Sequence, residues 1–191
     1  HFVVLDRVTS KRAEYAKRWL IHLANEPQAE GERTWRADQD GGRMFCRTLL
    51  PVDAVLENVG GPGKEFLADG VNYPIDAGPS GERIRNNYPV YKISYPEVPE
   101  LMGRWRVEVK PGGPRREDVF LHLIDVGGAD ASAVSGARVR EEGGAAVLEF
   151  EAGARTVTLR FLTSGPAAGA VRIVRGDKTL VDRPLASVVT P

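Results

Sequence analysis

Cysteine occurs once in this sequence, lysine six times against twenty arginines, and histidine three times. The single Cys46 excludes an internal disulfide framework and is silent on redox compartment. Basic and acidic residues number 26 each, so no cationic excess marks the footprint of a nucleic-acid binder. No apolar run approaches the roughly eighteen residues a spanning helix needs, so no membrane partner is expected. Three chemical signatures are also missing: a Gly-x-Ser-x-Gly elbow, a zinc-protease helix motif and a Cys-x-x-Cys pair. Helical periodicity is scarce too. Only Lys11 to Leu23 offers it, through Tyr15, Trp19 and Leu23, and there Trp19-Leu20-Ile21-His22-Leu23 is too uniformly apolar to choose between helix and strand.

What remains is the composition of a globular chain. Its 191 residues suit one domain, or one large and one small unit, and can bury about 70% of the unfolded surface without staples. The arginine excess has two readings. Arginine's planar fork suits bidentate capture of carboxylate or sulfate, and a GC-rich genome gives the same bias.

Short runs of alternating apolar and polar residues recur. They are Met44–Leu50, Ala54–Val59, Trp105–Lys110, Val119–Val126, Ala146–Glu151, Thr156–Leu162 and Ala170–Val174. Clusters of Gly, Pro, Asp or Asn bound each run, as expected of strands joined by turns. Glu142-Gly143-Gly144 and Gly176-Asp177 read as hairpin turns. Two further strands open the chain, Phe2–Val8 and a run within Tyr15–Ala24. The expected fold is all-β, an antiparallel sandwich of two stacked sheets. Residues 1–126 form its main part, and 127–191 continue it or make a small terminal β unit.

One stretch departs from this pattern. Gly78 to Pro99 holds Pro79, Pro89, Pro96 and Pro99 together with Tyr88, Tyr91 and Tyr95. Proline supplies no ladder donor, so a long surface excursion is expected. Its tyrosines suit stacking on sugar rings, or equally pinning the loop to a sheet.

Two candidate sites follow from residue chemistry. Gly60-Gly61-Pro62-Gly63-Lys64 has Asn58 and Glu65 where a phosphate loop needs Gly and Ser or Thr, so it reads as a turn. Asp6 and His22 would share a face if their strands paired in an even register, with Val8 opposite Leu20. Carboxylate plus imidazole suits zinc given a third ligand, and equally suits a buried Asp–His hydrogen bond.

An ordered series of segments resembles the heparinase II/III-like polysaccharide lyases. It runs Phe2-Val3-Val4-Leu5-Asp6-Arg7-Val8, Trp19-Leu20-Ile21-His22, Asn25-Glu26-Pro27, Gly42 to Pro51, Val59 to Phe66, Asn72-Tyr73, Trp105 to Val109 with Pro111, and Asp118 to Leu123. The series covers roughly residues 2–126, and residues 127–191 look like the variable β-rich end of such proteins. The resemblance implies β-elimination on a uronic-acid polysaccharide by a periplasmic or secreted bacterial enzyme. In that family an N-terminal α/α toroid supplies much of the cleft and the catalytic Tyr and Asn or His. The β region closes the other wall, adds a His and in several members holds zinc.

By that resemblance Asp6 and His22 match two of the three zinc ligands. The remaining His belongs upstream of Asp6, and His1 is too close to serve. Tyr88, Tyr91 and Tyr95 do not match the family's catalytic position, so no catalytic group is assigned within these residues. The expectation is a piece of a longer lyase, inactive without the toroid. Its partners would be that toroid and an anionic polysaccharide. Arg104 and Arg106, alternating with Trp105 and Val107, are the solvent-facing candidates for substrate binding, with Tyr88 and Tyr91. Arg43 and Arg47 share a strand face with Phe45, which weakens them as a binding pair. Two other readings are a free-standing carbohydrate-binding sandwich and a structural support domain with Asp6 and His22 paired in its core.

Overall fold

The computed structural model describes residues 1–31, 33–72, 103–133 and 136–185; Tyr88, Tyr91 and the rest of the Pro/Tyr-rich excursion lie outside them. Fifteen antiparallel strands run through the described residues, and no helix. They are β1 (Phe2–Thr9), β2 (Trp19–Leu23), β3 (Gln28–Gly31), β4 (Thr34–Gln39), β5 (Gly42–Leu50), β6 (Val55–Gly60), β7 (Leu67–Ala68), β8 (Val71–Asn72), β9 (Trp105–Lys110), β10 (Glu117–Gly128), β11 (Arg138–Glu142), β12 (Ala145–Ala152), β13 (Arg155–Leu162), β14 (Gly169–Arg175) and β15 (Lys178–Pro184). The ambiguous Trp19–Leu23 run is therefore a strand. Trp19, Ile21 and Leu23 are half-buried and alternate with exposed Leu20 and His22, the period of a strand with one covered face.

The expected sandwich is present, with a third sheet added. A central sheet has the order β1-β10-β5-β4-β3, a small sheet β2-β9-β6, and a C-terminal sheet β11 to β15; β7 and β8 make a separate two-stranded ribbon. All strands of the first two come from residues 2–128, and all of the third from residues 138–184.

The central sheet is covered on both faces. Leu121 and Leu123 of β10 pack with Leu49 and Leu50 of β5 and with Ala146, Leu148, Phe150 and Leu159 of the C-terminal sheet. Phe120 and Ile124 point the other way, into a second core with Trp35, Cys46, Val107 and Val109. This explains why Val119 to Ile124, expected to alternate, is apolar at every position except His122: a strand buried on both faces has no solvent side on which to alternate. Burial of each large aliphatic or aromatic chain contributes roughly 1.5–3 kcal/mol.

Local chemistry sets the register. Gly143 and Gly144 form a two-residue turn at φ 56° and 70°, and Glu142 then pairs with Ala145. Such a turn needs both central residues at positive φ, which glycine adopts without steric cost. Gly176-Asp177 also closes a two-residue turn, between β14 and β15 with Arg175 opposite Lys178, but only Gly176 is at positive φ, 53°. A bulge between Leu121 and His122 skips Leu49, so Leu49 and Leu50 both belong to the core under the C-terminal sheet.

Candidate functional site

The small sheet presents its outer face beyond the second core. On β9, Val107 and Val109 point inward, so Arg106, Glu108 and Lys110 take the opposite side. Register places Leu20 and Glu57 on either side of Glu108, and His22 and Val59 on either side of Arg106. Arg18, immediately before β2, continues the row of Leu20 and His22.

Glu108 is the hub of this face. Its side chain is only 4% exposed. Arg106 donates from Nε at 2.8 Å and lies within 2.7 Å through NH2, both on Oε1. Lys110 Nζ sits 3.3 Å and Arg18 Nε 3.6 Å from Oε2. Burial pushes the Glu108 carboxyl up, but hydrogen bonds from Arg106 and Lys110 and their charges outweigh it and leave the group below its ordinary range. Lys110 also pairs with Glu57. Three cations are therefore fixed around one buried carboxylate on an otherwise open sheet face.

The residues expected from sequence are distributed unevenly. Arg104 is exposed beside this face, whereas Arg106 is half-buried and its guanidinium is spent on Glu108. The Glu65 carboxyl lies below its ordinary range, first through a backbone amide and further through Asn72 and the charge of Arg104. Arg43 is held by Asp38 at 2.8 Å, and Phe45 between Arg43 and Arg47 is buried.

Asp6 and His22 do not come together. The supposed pairing of their strands is absent: β1 pairs with β10, setting Val8 opposite Asp118, while β2 pairs with β9, setting Leu20 opposite Glu108. β2 instead lies across β10. Lys17 reaches Asp118 at 3.1 Å, Trp19 stacks on His122, and Leu23 shares a hollow with Val126. Asp6 stands opposite Phe120, so His22 sits about six residues further along β10, roughly 20 Å at ~3.3 Å per residue. Both side chains are exposed, and His22 faces away from the central sheet. Among the described residues no group of three or more His, Cys, Asp or Glu side chains is placed to hold a metal ion. These residues do not fit the zinc site that the resemblance implies.

The buried histidine is His122. It pairs with Thr48 Oγ1 through Nδ1 at 3.2 Å, stacks on Trp19, and has no hydrogen-bond partner at Nε2. Burial pushes it down to about 4, so it is neutral at ordinary pH. Cys46, on the same face of the central sheet, is pushed up to about 12 by burial and then by the charge of Asp125, which makes it an unreactive thiol.

A second cleft, of about 590 Å³, lies at the junction of the central and C-terminal sheets and includes Arg7, Asp53, Arg115, Glu117 and Glu141. Arg115 is spent on Asp53, at 2.8 and 3.0 Å, and on Asp118 at 2.9 Å. No family model matches the chain, and no curated protein matches it.

Sequence reasoning passed over Arg18, Glu108 and Lys110. A signal for two of them was present: Arg106, Glu108 and Lys110 occupy every second position of β9, with Arg104 just before it, so that the outer face of this strand is wholly charged.

Proposed function

We propose that this chain is the β-sheet region of a heparinase II/III-like polysaccharide lyase, and that the outer face of the small sheet forms one wall of a cleft for a uronic-acid polysaccharide. The observation that carries the reading is the cluster of Arg18, Arg106 and Lys110 around Glu108, with Arg104 and His22 beside it; Arg106, Glu108 and His22 lie within the segments of the resemblance and the other three directly flank them. A β-eliminating site must neutralise the uronate carboxylate while a base takes the C5 proton and the C4–O bond breaks to give a C4–C5 double bond. Cations on a preformed sheet face suit that neutralisation. The catalytic Tyr and Asn or His belong to the toroid, and the chain by itself is inactive. Zinc, where the whole protein carries it, draws on a ligand set other than Asp6 and His22 acting together.

The test is direct. Affinity electrophoresis through gels containing a polyuronate, a sulfated polymer or a neutral glucan should retard the chain on the anionic gels only. No unsaturated uronate should appear in the ultraviolet when the chain is incubated alone with polymer. Equal mobility in all three gels would remove the reading. Retardation on the neutral glucan alone would favour a free-standing carbohydrate-binding sandwich.

A further inference from the structure

The C-terminal sheet is wider than the surface it covers. Register sets its inner face in rows that run from β12 to β15: Phe150, Val157, Ile173 and Val181 in one, Leu148, Leu159, Val171 and Arg183 in the next. Burial falls along these rows. Leu148 and Phe150 are buried, whereas Val157, Val171 and Ile173 are only half-buried. The opposing layer ends at β1, the outer strand of the central sheet, which brings Val3 and Leu5 to the same core. The inner face of β14 and β15 therefore overhangs β1.

Under the overhang lies a hollow of about 460 Å³. Eight of its ten lining residues are apolar and none is acidic. Arg155, Val157, Leu159 and Phe161 all line it, and alternate residues of one strand point to one side. The hollow thus follows β13 for roughly 20 Å, at ~3.3 Å per residue. Its volume is that of a small-ligand site and, spread over this length, leaves a channel one hydrocarbon chain wide.

Arg155 marks one end. It is exposed where β13 leaves the Gly153-Ala154 turn, and no acid or acceptor among the described residues engages its guanidinium. His1, the other polar residue of the lining, is committed: it pairs with Asp125 and stands edge-on to Phe150, with 5.5 Å between ring centroids. At the far end are Phe161 and Leu185, the latter 40% exposed. A neutral apolar occupant would use the walls and not the cation. A small anion would use the cation and leave the walls in water.

We propose that this hollow binds a single-chain amphiphile with an anionic head, the head at Arg155 and the hydrocarbon chain along β13 toward Phe161 and Leu185. Carboxylate and sulfate heads suit the guanidinium alike, so the chain and the sign of the head set the selectivity. The site belongs to the core opposite the small sheet, and it is independent of any polysaccharide bound there.

The experiment is calorimetric titration of the full chain with decanoate, below the concentration at which decanoate forms micelles. Decyl sulfate should bind as decanoate does. Octanoate should bind roughly tenfold more weakly, through the loss of two buried methylenes. Decyltrimethylammonium should be weaker by about tenfold or more, because its charge meets Arg155. Arg155→Glu should weaken decanoate about tenfold and leave 1-decanol within about twofold. Ile173→Trp should block every ligand by filling the channel. Amide shifts of the parent with decanoate should fall on residues 155–161 and 171–173, so the placement stands even where that variant fails to fold. No binding, equal binding of the anionic and cationic decyl amphiphiles, or shifts elsewhere would overturn the site. A concentration-dependent dimer seated on residues 155–161, or a response of those residues to deletion of 186–191, with none to decanoate, would also overturn it and give the hollow to a second copy or to that segment.

Discussion

Trp19 lies flat on His122, with ring centroids 3.8 Å apart and planes 24° from parallel. This contact joins β2 of the small sheet to β10 of the central one, and it is formed by a neutral imidazole. Protonation would place a charge between two apolar layers, where it is unpaired and costly. The folded pKa of about 4 lies below the ordinary 6.5, so the unfolded chain binds the extra proton between those values. The contribution is complete above pH 6.5, is lost as pH falls toward 4, and levels off below it.

Urea unfolding at stepped pH should therefore show stability falling by on the order of 3 kcal/mol across that window. His122→Phe keeps an aromatic partner for Trp19 and should flatten this part of the profile. An unchanged slope in His122→Phe would assign the acid sensitivity elsewhere.

Glu108 acts in the same direction as His122, in a lower pH window. Its folded pKa is depressed, so its contribution is present above the ordinary 4.5 and is lost as pH falls through the lower folded value. Glu108→Gln removes the hub and leaves Arg18, Arg106 and Lys110 facing one another. Thermal unfolding near neutral pH should show destabilisation of about 1–3 kcal/mol. Added salt should narrow the difference by screening the three cations. A salt-independent loss would point to packing in place of charge.

Trp105 leaves no room for side chains on the neighbouring turn. A Cβ on Gly60, at φ 154°, would lie 2.7 Å from Trp105 Cα and 2.8 Å from its indole. Gly63, at φ 79°, has open space around it. Gly60→Ala should thus cost more than the ~1–2 kcal/mol of backbone strain expected for Gly63→Ala. Equal losses in urea unfolding would refute the close approach.

The separation of Asp6 and His22 has its own test. Metal analysis of chelator-treated, zinc-reloaded protein should give no stoichiometric zinc that Asp6→Ala and His22→Ala both abolish. Such a loss in both variants would contradict the placement of these residues at different levels along β10.

Period-two alternation and glycine pairs made much of the fold legible from local residues: the Gly143-Gly144 hairpin and the alternating runs of β9 and β12 to β14 needed nothing distant. What local pattern does not carry is which strand pairs with which. β1 and β2 are neighbours in sequence, yet β1 pairs with a strand more than a hundred residues away and β2 joins a different sheet. The even numbering of Asp6 and His22 therefore decided nothing. β3 was hidden because Gln28 to Gly31 is exposed throughout, and β4 because only Trp35 of its six residues is buried. The third layer was missed because the alternation expected over Val119–Val126 is absent: Val119 to Ile124 is apolar except at His122, the pattern of a strand buried on both faces. The candidate site was legible in part, since Arg104 and Arg106 point to the right strand. Arg18 was not, because Glu108, which anchors it, lies ninety residues further along the chain.

The most direct measurement is residue-resolved mapping of an oligouronate by amide chemical-shift perturbation. The account predicts shifts concentrated on residues 15–23 of the β1–β2 connection and β2, and on residues 104–110 around β9. The C-terminal sheet should remain unperturbed. Shifts confined to the cleft of Arg7, Glu117 and Glu141, or no shifts at saturating ligand, would contradict it.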